Sequence, residues 1–160
     1  MKKINFSYVV IPLIVVLVAV FGGLITSGGM SWYDSINLPS WTPSGQIIGT
    51  VWTIIFTLST IAALLVWNSK WRKKDESRFN KIIIWFLINA GLNLGWSFIF
   101  FGRHLIFIAI EEAILLCLSV VRIIWLEWPV DRRVAYLLLP YAIWTAFASY
   151  LTYSVWLLNR

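Results

Sequence analysis

The sequence predicts an all-α integral membrane protein, a bundle of five transmembrane helices. First, 60% of its residues are hydrophobic and only 12% are charged, against about 25% in a typical soluble domain. Second, a chain of 160 residues is too short to bury so much apolar surface in one water-soluble core. Third, the apolar residues fall into five segments, each of roughly 20 residues or more, which is enough to cross a hydrocarbon core of ~30 Å.

The five helices belong to one domain covering 1–160. They are predicted at about 8–27, 44–68, 81–101, 105–126 and 134–158. No A-x-A cleavage pattern follows the first, so it is expected to be retained rather than removed as a signal peptide. Thr42-Pro43 predicts the start of the second helix, with threonine as the N-cap and proline at the first helical position. A tight turn is expected at 102–104, and Pro129 ends the fourth helix within a polar turn at 127–133.

A long lid loop, residues 28–43, is predicted between the first two helices. The stretch from Trp32 to Trp52 is polar and interrupted by glycine and proline, unlike the apolar runs that flank it. Loops of this length in compact proteins are usually binding loops or lids. We therefore expect residues 28–43 to cap a ligand pocket among the helices, with Trp52 entering that pocket.

Basic residues predict the orientation. Lys and Arg concentrate at the N-terminus, in the connector 70–78 and at 132–133, whereas the opposite side has only Arg103 and Arg160. Such residues collect on the cytoplasmic side, so the N-terminus is predicted to be cytoplasmic. The same rule accounts for the net charge of +6, so nucleic acid is not expected as a partner. The sequence carries no recognisable organelle address, and the strong bias toward a cytoplasmic N-terminus suits a bacterial plasma membrane, with the mitochondrial outer membrane as the eukaryotic alternative.

Eleven tryptophans exceed what two interfacial belts require, so some are expected to face inward. Helical spacing places aromatic, polar and small residues together on three helix faces. These candidate pocket residues are Trp52 and Phe56, then Asn93, Trp96 and Ser97, then Tyr141, Trp144 and Ala148. Such faces suit a flat aromatic ligand with one or two polar groups. The same spacing also fits tryptophans that only pack between helices.

Gly91 and Gly95 form a GxxxG pattern, which lets two helices approach closely. The partner helix belongs either to a second subunit, giving a homodimer, or to the same chain. Glu111 and Glu112 lie at membrane depth, where acids are costly and usually functional. Because they are adjacent, they cannot both face the same way.

Conventional catalysis and metal binding find no support in the sequence. Cys117 is the single cysteine, which excludes an intramolecular disulfide and a cysteine metal site. His104 is the single histidine and is expected to be solvated or interfacial rather than a haem ligand. No hydrolytic or phosphate-binding motif occurs, which excludes ordinary hydrolytic or phosphoryl-transfer catalysis. No cofactor is expected to be required.

Taken together, these motifs resemble the translocator protein / tryptophan-rich sensory protein family, and the resemblance covers nearly the whole chain. The motifs are Trp32-Tyr33-Asp34, Pro39-x-Trp41-x-Pro43, Trp52, Asn93-x-x-Trp96, Phe100-Phe101-Gly102 and Pro140-Tyr141-x-x-Trp144-x-x-Phe147-Ala148. The resemblance implies a lipid-embedded five-helix bundle, often dimeric, that binds tetrapyrroles (protoporphyrin IX or haem) and other hydrophobic aromatic molecules beneath the lid. It also implies light- and oxygen-dependent protoporphyrin degradation. The alternatives are a porphyrin or lipophile transporter and a non-catalytic sensory or regulatory protein.

By the same resemblance, the ligand contacts are Tyr33, Trp52, Asn93, Trp96, Trp144 and Ala148, joined by Ser97 from its helical face. Trp52 and Trp144 are the expected participants in photochemistry. Three positions depart from the common family pattern. Leu38 replaces a lysine, Ser44 replaces the second proline of a pair, and Phe56 replaces a tyrosine. The missing lysine removes a cation near the lid, where it would favour anionic ligands.

Overall fold

A computed structural model describes residues 6–160, and it is helical, with no strand among those residues. Its six α-helices comprise five of 22 residues or more and one of four. They are α1 (Ser7–Gly28), α2 (Met30–Tyr33), α3 (Gly45–Trp67), α4 (Glu76–Ser97), α5 (Ile106–Glu127) and α6 (Arg132–Leu158). A 3-10 turn at Lys70–Lys73 and a π-helical turn at Phe98–Gly102 complete the described elements. The prediction of five helices therefore differs from the six observed, because a short helix forms inside the lid.

Four helices are long and apolar enough to cross a membrane. These are α1, α3, α4 with its π-helical extension to Gly102, and α6. Such apolar helices identify an integral membrane protein. Helix α5 has 22 residues but differs from these four in carrying Glu111, Glu112 and Arg122 within its length.

Helix α3 starts one residue later than predicted, and its cap is a different residue. Ser44 has an extended backbone, and its Oγ accepts a hydrogen bond from the Ile47 amide at 3.4 Å. The Thr42 hydroxyl instead donates to the Pro39 carbonyl oxygen at 2.7 Å. The prediction of Thr42 as the N-cap was therefore wrong, because its hydroxyl is used inside the lid turn.

Two helices begin before their predicted starts, inside segments expected to be polar connectors. Asp75 accepts from the Arg78 amide at 3.0 Å and caps α4, which begins at Glu76 rather than 81. Asp131 accepts from the Arg133 amide at 3.0 Å and caps α6, which begins at Arg132 rather than 134. Polar composition alone predicts a connector at both places, whereas the aspartate caps let both helices extend beyond their apolar segments.

Helix α5 packs most extensively against α6 and then α4, while α3 lies against α6. Helix α1 contacts α3 and α4 but buries only Ser7, Val18 and Gly22, so its remaining apolar surface faces outward. One apolar cluster, which includes Ile55, Ile82 and Leu138, fills the centre of the bundle. A second, around Phe100 and Phe101, lies beneath the lid.

The turn between α4 and α5 forms where it was predicted, but by a wider helical turn. The Arg103 amide donates to the Phe98 carbonyl oxygen at 2.9 Å, and the Leu105 amide donates to the Ile99 carbonyl oxygen at 3.1 Å. His104 then adopts a left-handed backbone with φ of 59°, which reverses the chain. This turn lies next to the lid and supports it.

Candidate functional site

The lid is partly ordered as a helix and held down by aromatic stacking. The prediction that residues 28–43 form a loop throughout was wrong, because α1 continues to Gly28 and α2 occupies Met30–Tyr33. Trp32 stacks on His104 with ring centroids 4.2 Å apart, and Trp41 stacks on Tyr150 at 5.5 Å. The exposed His104 thus forms part of the lid contact.

Reciprocal hydrogen bonds fasten the middle of the lid to the end of α6. The Asn37 amide donates to Asn159 Oδ1 at 2.9 Å, and Asn159 Nδ2 donates to the Asn37 carbonyl oxygen at 2.8 Å. Asn159 Nδ2 also lies 2.7 Å from the Val155 carbonyl oxygen. A weaker contact of 3.4 Å joins Asn37 Nδ2 to the Leu158 carbonyl oxygen. We call the Asn37–Asn159 pair the lid latch.

Beneath the lid lies a cavity of about 480 Å³, walled by α1, α3, α4 and α6. A cavity of this size is typical of sites for drug-sized molecules. Every residue predicted as a ligand contact lines it. These residues are Tyr33, Trp52, Asn93, Trp96, Ser97, Trp144 and Ala148. The structure therefore brings the candidate contacts from four separate segments into one cavity.

The cavity has aromatic walls, and two of the tryptophans in them have buried indole N–H groups without a partner in the described part of the chain. Trp96 Nε1 and Trp144 Nε1 are buried and have no hydrogen-bond partner among residues 6–160. A buried indole N–H normally finds a partner, and leaving a polar group unpaired costs about 1–3 kcal/mol. No charged side chain among the described residues lines the cavity. The arrangement suits a largely apolar ligand that offers hydrogen-bond acceptors.

Asn93 is positioned by a buried polar chain that the sequence did not reveal. Its Nδ2 donates to the Tyr141 hydroxyl at 3.0 Å, and that hydroxyl donates to Asn89 Oδ1 at 3.1 Å. Asn89 Nδ2 donates to Ser119 Oγ at 2.8 Å, and Ser119 donates to the Leu116 carbonyl oxygen at 2.7 Å. This chain fixes the Asn93 carboxamide at the cavity wall.

Tyr141 itself does not line the cavity, contrary to the predicted face that it shares with Trp144 and Ala148. It is buried behind Trp52, with ring centroids 6.0 Å apart at 75°. Phe56 does line the cavity, beside Trp52 at 5.4 Å, as helical spacing predicted. Tyr141 therefore supports the site through Asn93 and Trp52.

The wall contributed by α1 was also missed. Small residues of α1, namely Ala19, Gly22, Gly23, Thr26 and Ser27, line the cavity. They recur at helical spacing within a helix otherwise rich in valine, leucine and isoleucine. This row of small residues could have predicted the α1 wall of the cavity, because small residues leave room for a ligand or for a closely packed helix.

Tyr33 reaches the cavity from the lid. It contacts Phe101 with ring centroids 5.5 Å apart. Burial, and secondarily the charge of Asp34, raises the pKa of Tyr33 above its ordinary value of 10.0. Its hydroxyl therefore stays neutral at physiological pH and can donate a hydrogen bond at the end of the cavity nearest the lid.

The two acids of α5 face different ways, as their adjacency predicted. Glu111 is exposed, whereas Glu112 is 7% exposed and neither oxygen has a hydrogen-bond partner within residues 6–160. Gly95 faces this carboxyl group, since a Cβ there would lie 3.4 Å from Glu112 Oε1. Gly91 opens on free space. Gly95 thus serves a close approach within the chain, while Gly91 remains available to a partner.

The predicted turn at 127–133 was wrong for Glu127, which is fully buried as the last residue of α5.

These features define an integral membrane protein with a lidded, tryptophan-rich cavity, and comparison with known proteins places it more narrowly. Residues 10–157 match the TspO/MBR family. The chain is 30% identical to the tryptophan-rich protein TspO of Bacillus cereus, over 81% of each chain. It is 34% identical to protein CrtK of Rhodobacter capsulatus, over 86% of this chain and 83% of that one. It is 30% identical to the human translocator protein, over 80% of this chain and 75% of that one. The chain belongs to the TspO/MBR family.

Proposed function

We propose that the protein binds a tetrapyrrole, such as protoporphyrin IX or haem, or another flat aromatic molecule in the cavity beneath the lid. The carrying observation is that Trp52, Trp96 and Trp144, from three different helices, surround one cavity of about 480 Å³ with no charged side chain in its described lining. A flat aromatic ring would stack on these tryptophans, and a small rotation of Trp96 or Trp144 would bring its buried, unpaired indole N–H to an acceptor group on the ring. No cofactor is needed for such binding.

The absence of charge from the described lining constrains how a porphyrin would sit. A carboxylate buried without a partner is strongly disfavoured, so its carboxylates would remain at the cavity mouth, in contact with water. The apolar ring would occupy the space between Trp52 and Ala148, both of which line the cavity. Leu38 in the lid, where the family commonly has lysine, offers no cation to draw the carboxylates inward.

We further propose that Trp52 and Trp144 support light- and oxygen-dependent degradation of bound protoporphyrin. Both indoles line the cavity, so both would lie beside a ring held there. An indole next to an excited porphyrin can transfer one electron to it, which leaves an oxidised indole and a reduced ring. The reduced ring passes that electron to dioxygen, which becomes superoxide. The oxidised indole then takes one electron from the ring, and the resulting ring radical cation combines with superoxide, so one ring and one dioxygen give one oxygenated ring, the indole is restored and no metal is required.

The test is titration of protoporphyrin IX into purified protein, first in darkness and then under light with oxygen. Wild type is compared with Trp52→Phe and Trp144→Phe. Trp125→Phe is the matched control, because Trp125 is 63% exposed and lies outside the cavity. Dark binding by all proteins, with photodegradation lost only in the cavity variants, supports the indole chemistry. Binding without degradation by wild type identifies a carrier or sensor, and accumulation in sealed vesicles identifies a transporter. Absence of binding refutes the ligand assignment.

We propose that all five long helices cross the membrane, with the N-terminus in the cytoplasm and a bacterial plasma membrane as the location. Helix α5 carries charges, but Glu112 is buried within the bundle, and the Arg122 guanidinium lies over the Trp125 ring at 4.5 Å. In a Cys117→Ala background, Ser40→Cys in the lid should react with an impermeant thiol reagent applied outside cells. Ser77→Cys, at an exposed position in the first turn of α4, should react only after permeabilisation. The reverse pattern would invert the topology.

We also propose a homodimer, in keeping with the family resemblance and with the open surface at Gly91. Gly91→Leu should disrupt a dimer that uses this face while leaving ligand affinity unchanged. Light scattering of the purified variant provides the measurement. A dimer unaffected by Gly91→Leu would place the interface elsewhere.

A further inference from the structure

A second cavity of about 740 Å³ lies at the end of the bundle opposite the lid. The beginning of α1, the last turns of α3, the 3-10 turn and the start of α6 meet there, and residues from all four line it. It shares no lining residue with the cavity beneath the lid. It is therefore a separate site, on the side where basic residues concentrate.

The rim of this second cavity carries excess positive charge. Lys70 and Lys74 line it and form no ion pair with any residue in 6–160. Arg133 also lines it and is paired with Asp131 at 2.8 Å. Hydrogen bonds and the charge of Arg133 hold the pKa of Asp131 below its ordinary value, so this carboxylate is ionised and engaged. The charges of Lys70 and Lys74 thus remain uncompensated at the rim.

Below this rim the walls become apolar. Ile61, Leu64 and Leu65 of α3 line the deeper part, and Asn68 and Ser69 follow them toward the lysines. From Ile61 to Trp67, the last residue of α3, the helix rises about 9 Å, at 1.5 Å per residue. The cavity therefore passes from cations through polar groups to aliphatic side chains along the 3-10 turn and the end of α3.

Two further lining residues, Tyr8 and Trp71, are of the types that lie at membrane interfaces. Trp71 packs against the main apolar cluster, and its Nε1 has no hydrogen-bond partner in the described part of the chain. Both residue types favour the depth at which the ester groups of a lipid lie.

We propose that this second cavity binds one anionic phospholipid, with its phosphate between Lys70 and Lys74 and the start of an acyl chain along Ile61 and Leu64. The order of cations, polar groups and aliphatic walls matches the order of phosphate, esters and hydrocarbon in a phospholipid. Basic pockets between transmembrane helices on the cytoplasmic side bind such headgroups. A free phosphate would use only the lysines and leave the apolar wall uncovered.

The experiment places full-length protein in nanodiscs of mixed phosphatidylglycerol and phosphatidylcholine, then counts retained lipids of each headgroup by native mass spectrometry. Lys70→Gln with Lys74→Gln should lower the preference for phosphatidylglycerol roughly 25-fold, about fivefold for each lysine. The matched control is Lys73→Gln with Lys81→Gln. It removes two exposed cations outside the cavity, and we expect it to retain the preference.

A second pair of variants tests the apolar wall. Ile61→Trp should reduce retention of phosphatidylglycerol by filling the cavity, whereas Ile54→Trp, at an exposed position of α3 outside it, should not. Equal losses in both lysine pairs would mean general attraction to a positive surface and would overturn the site. Displacement of the lipid by inorganic phosphate, or full retention by Ile61→Trp, would overturn the lipid assignment in favour of a free-anion site.

Discussion

The lid latch makes an asymmetric prediction, because Asn159 uses its side chain whereas Asn37 contributes mainly its backbone. Asn159→Ala removes the bonds of 2.9 and 2.8 Å between lid and α6. Asn37→Ala keeps both backbone partners and loses only the 3.4 Å contact to Leu158. The two substitutions should therefore differ widely in their effect on lid closure, although each replaces an asparagine by alanine.

The magnitude follows from the number and exposure of these bonds. Each hydrogen bond contributes about 0.5–1.5 kcal/mol to stability. Asn37 is exposed, so water can bond to the backbone groups of Asn37 that lose their partner in Asn159→Ala, which reduces the cost. We expect a loss of about 1–2 kcal/mol from the closed lid, which is roughly a 5–30-fold increase in the open fraction. Asn37→Ala should stay within about 0.5 kcal/mol of wild type.

Amide hydrogen exchange in the lid measures this opening without any ligand. Peptides covering residues 30–43 should lose protection roughly 5–30-fold in Asn159→Ala and little in Asn37→Ala. Asn80→Ala is the control, because Asn80 is exposed and has no side-chain hydrogen bond within residues 6–160. Equal effects of the two latch substitutions, or unchanged protection in Asn159→Ala, would refute the latch.

Three further substitutions test the supports of the site by thermal unfolding in detergent. Gly29→Ala should destabilise by about 1–3 kcal/mol, because its Cβ would lie 2.8 Å from Phe101 Cβ, whereas Gly28→Ala has open space and should be neutral or slightly stabilising. Tyr141→Phe should cost about 1–3 kcal/mol and loosen ligand binding, because two buried amides lose their shared hydroxyl. Asp131→Ala should cost roughly 1 kcal/mol at neutral pH through loss of the α6 cap. Because the folded pKa of Asp131 is lowered, its contribution is present above the unfolded pKa of about 3.9, and the difference from wild type should shrink as the pH falls through the folded pKa.

Each of these substitutions has a contradicting outcome. Equal stabilities of Gly29→Ala and Gly28→Ala would mean that the turn after α1 adjusts freely. A Tyr141→Phe protein with wild-type stability and ligand affinity would show that the buried polar chain does not hold Asn93. An Asp131→Ala deficit that stays constant as the Asp131 carboxylate is protonated would rule out its ionised form as the stabilising group.

Ala148 tests the cavity directly. A phenylalanine at this position would project into the cavity that Ala148 lines, so Ala148→Phe should abolish binding of protoporphyrin IX while the bundle stays folded. Fluorescence titration measures the affinity, and circular dichroism measures the helix content. Undiminished affinity in a folded variant would move the ligand away from this face of α6.

Sequence patterns predicted the membrane class, the five long helices to within a few residues at most ends, and a set of candidate residues that line one cavity. Long apolar segments carry this information because hydrocarbon excludes unpaired backbone groups, so helical content follows from composition. The boundaries at Glu76 and Arg132 were misplaced because capping by Asp75 and Asp131 is a local hydrogen-bond choice that hydropathy does not record.

The sequence by itself therefore determined that this is a helical membrane protein, which helix faces carry tryptophan, and which family it resembles. Only the tertiary structure decided that Asn159 latches the lid, that Tyr141 supports Asn93 from behind, and that two indole donors remain unpaired. The physical reason is separation along the chain, since Asn37 and Asn159 lie 122 residues apart. Periodicity shows which residues share a face of one helix, whereas helix packing decides which faces meet.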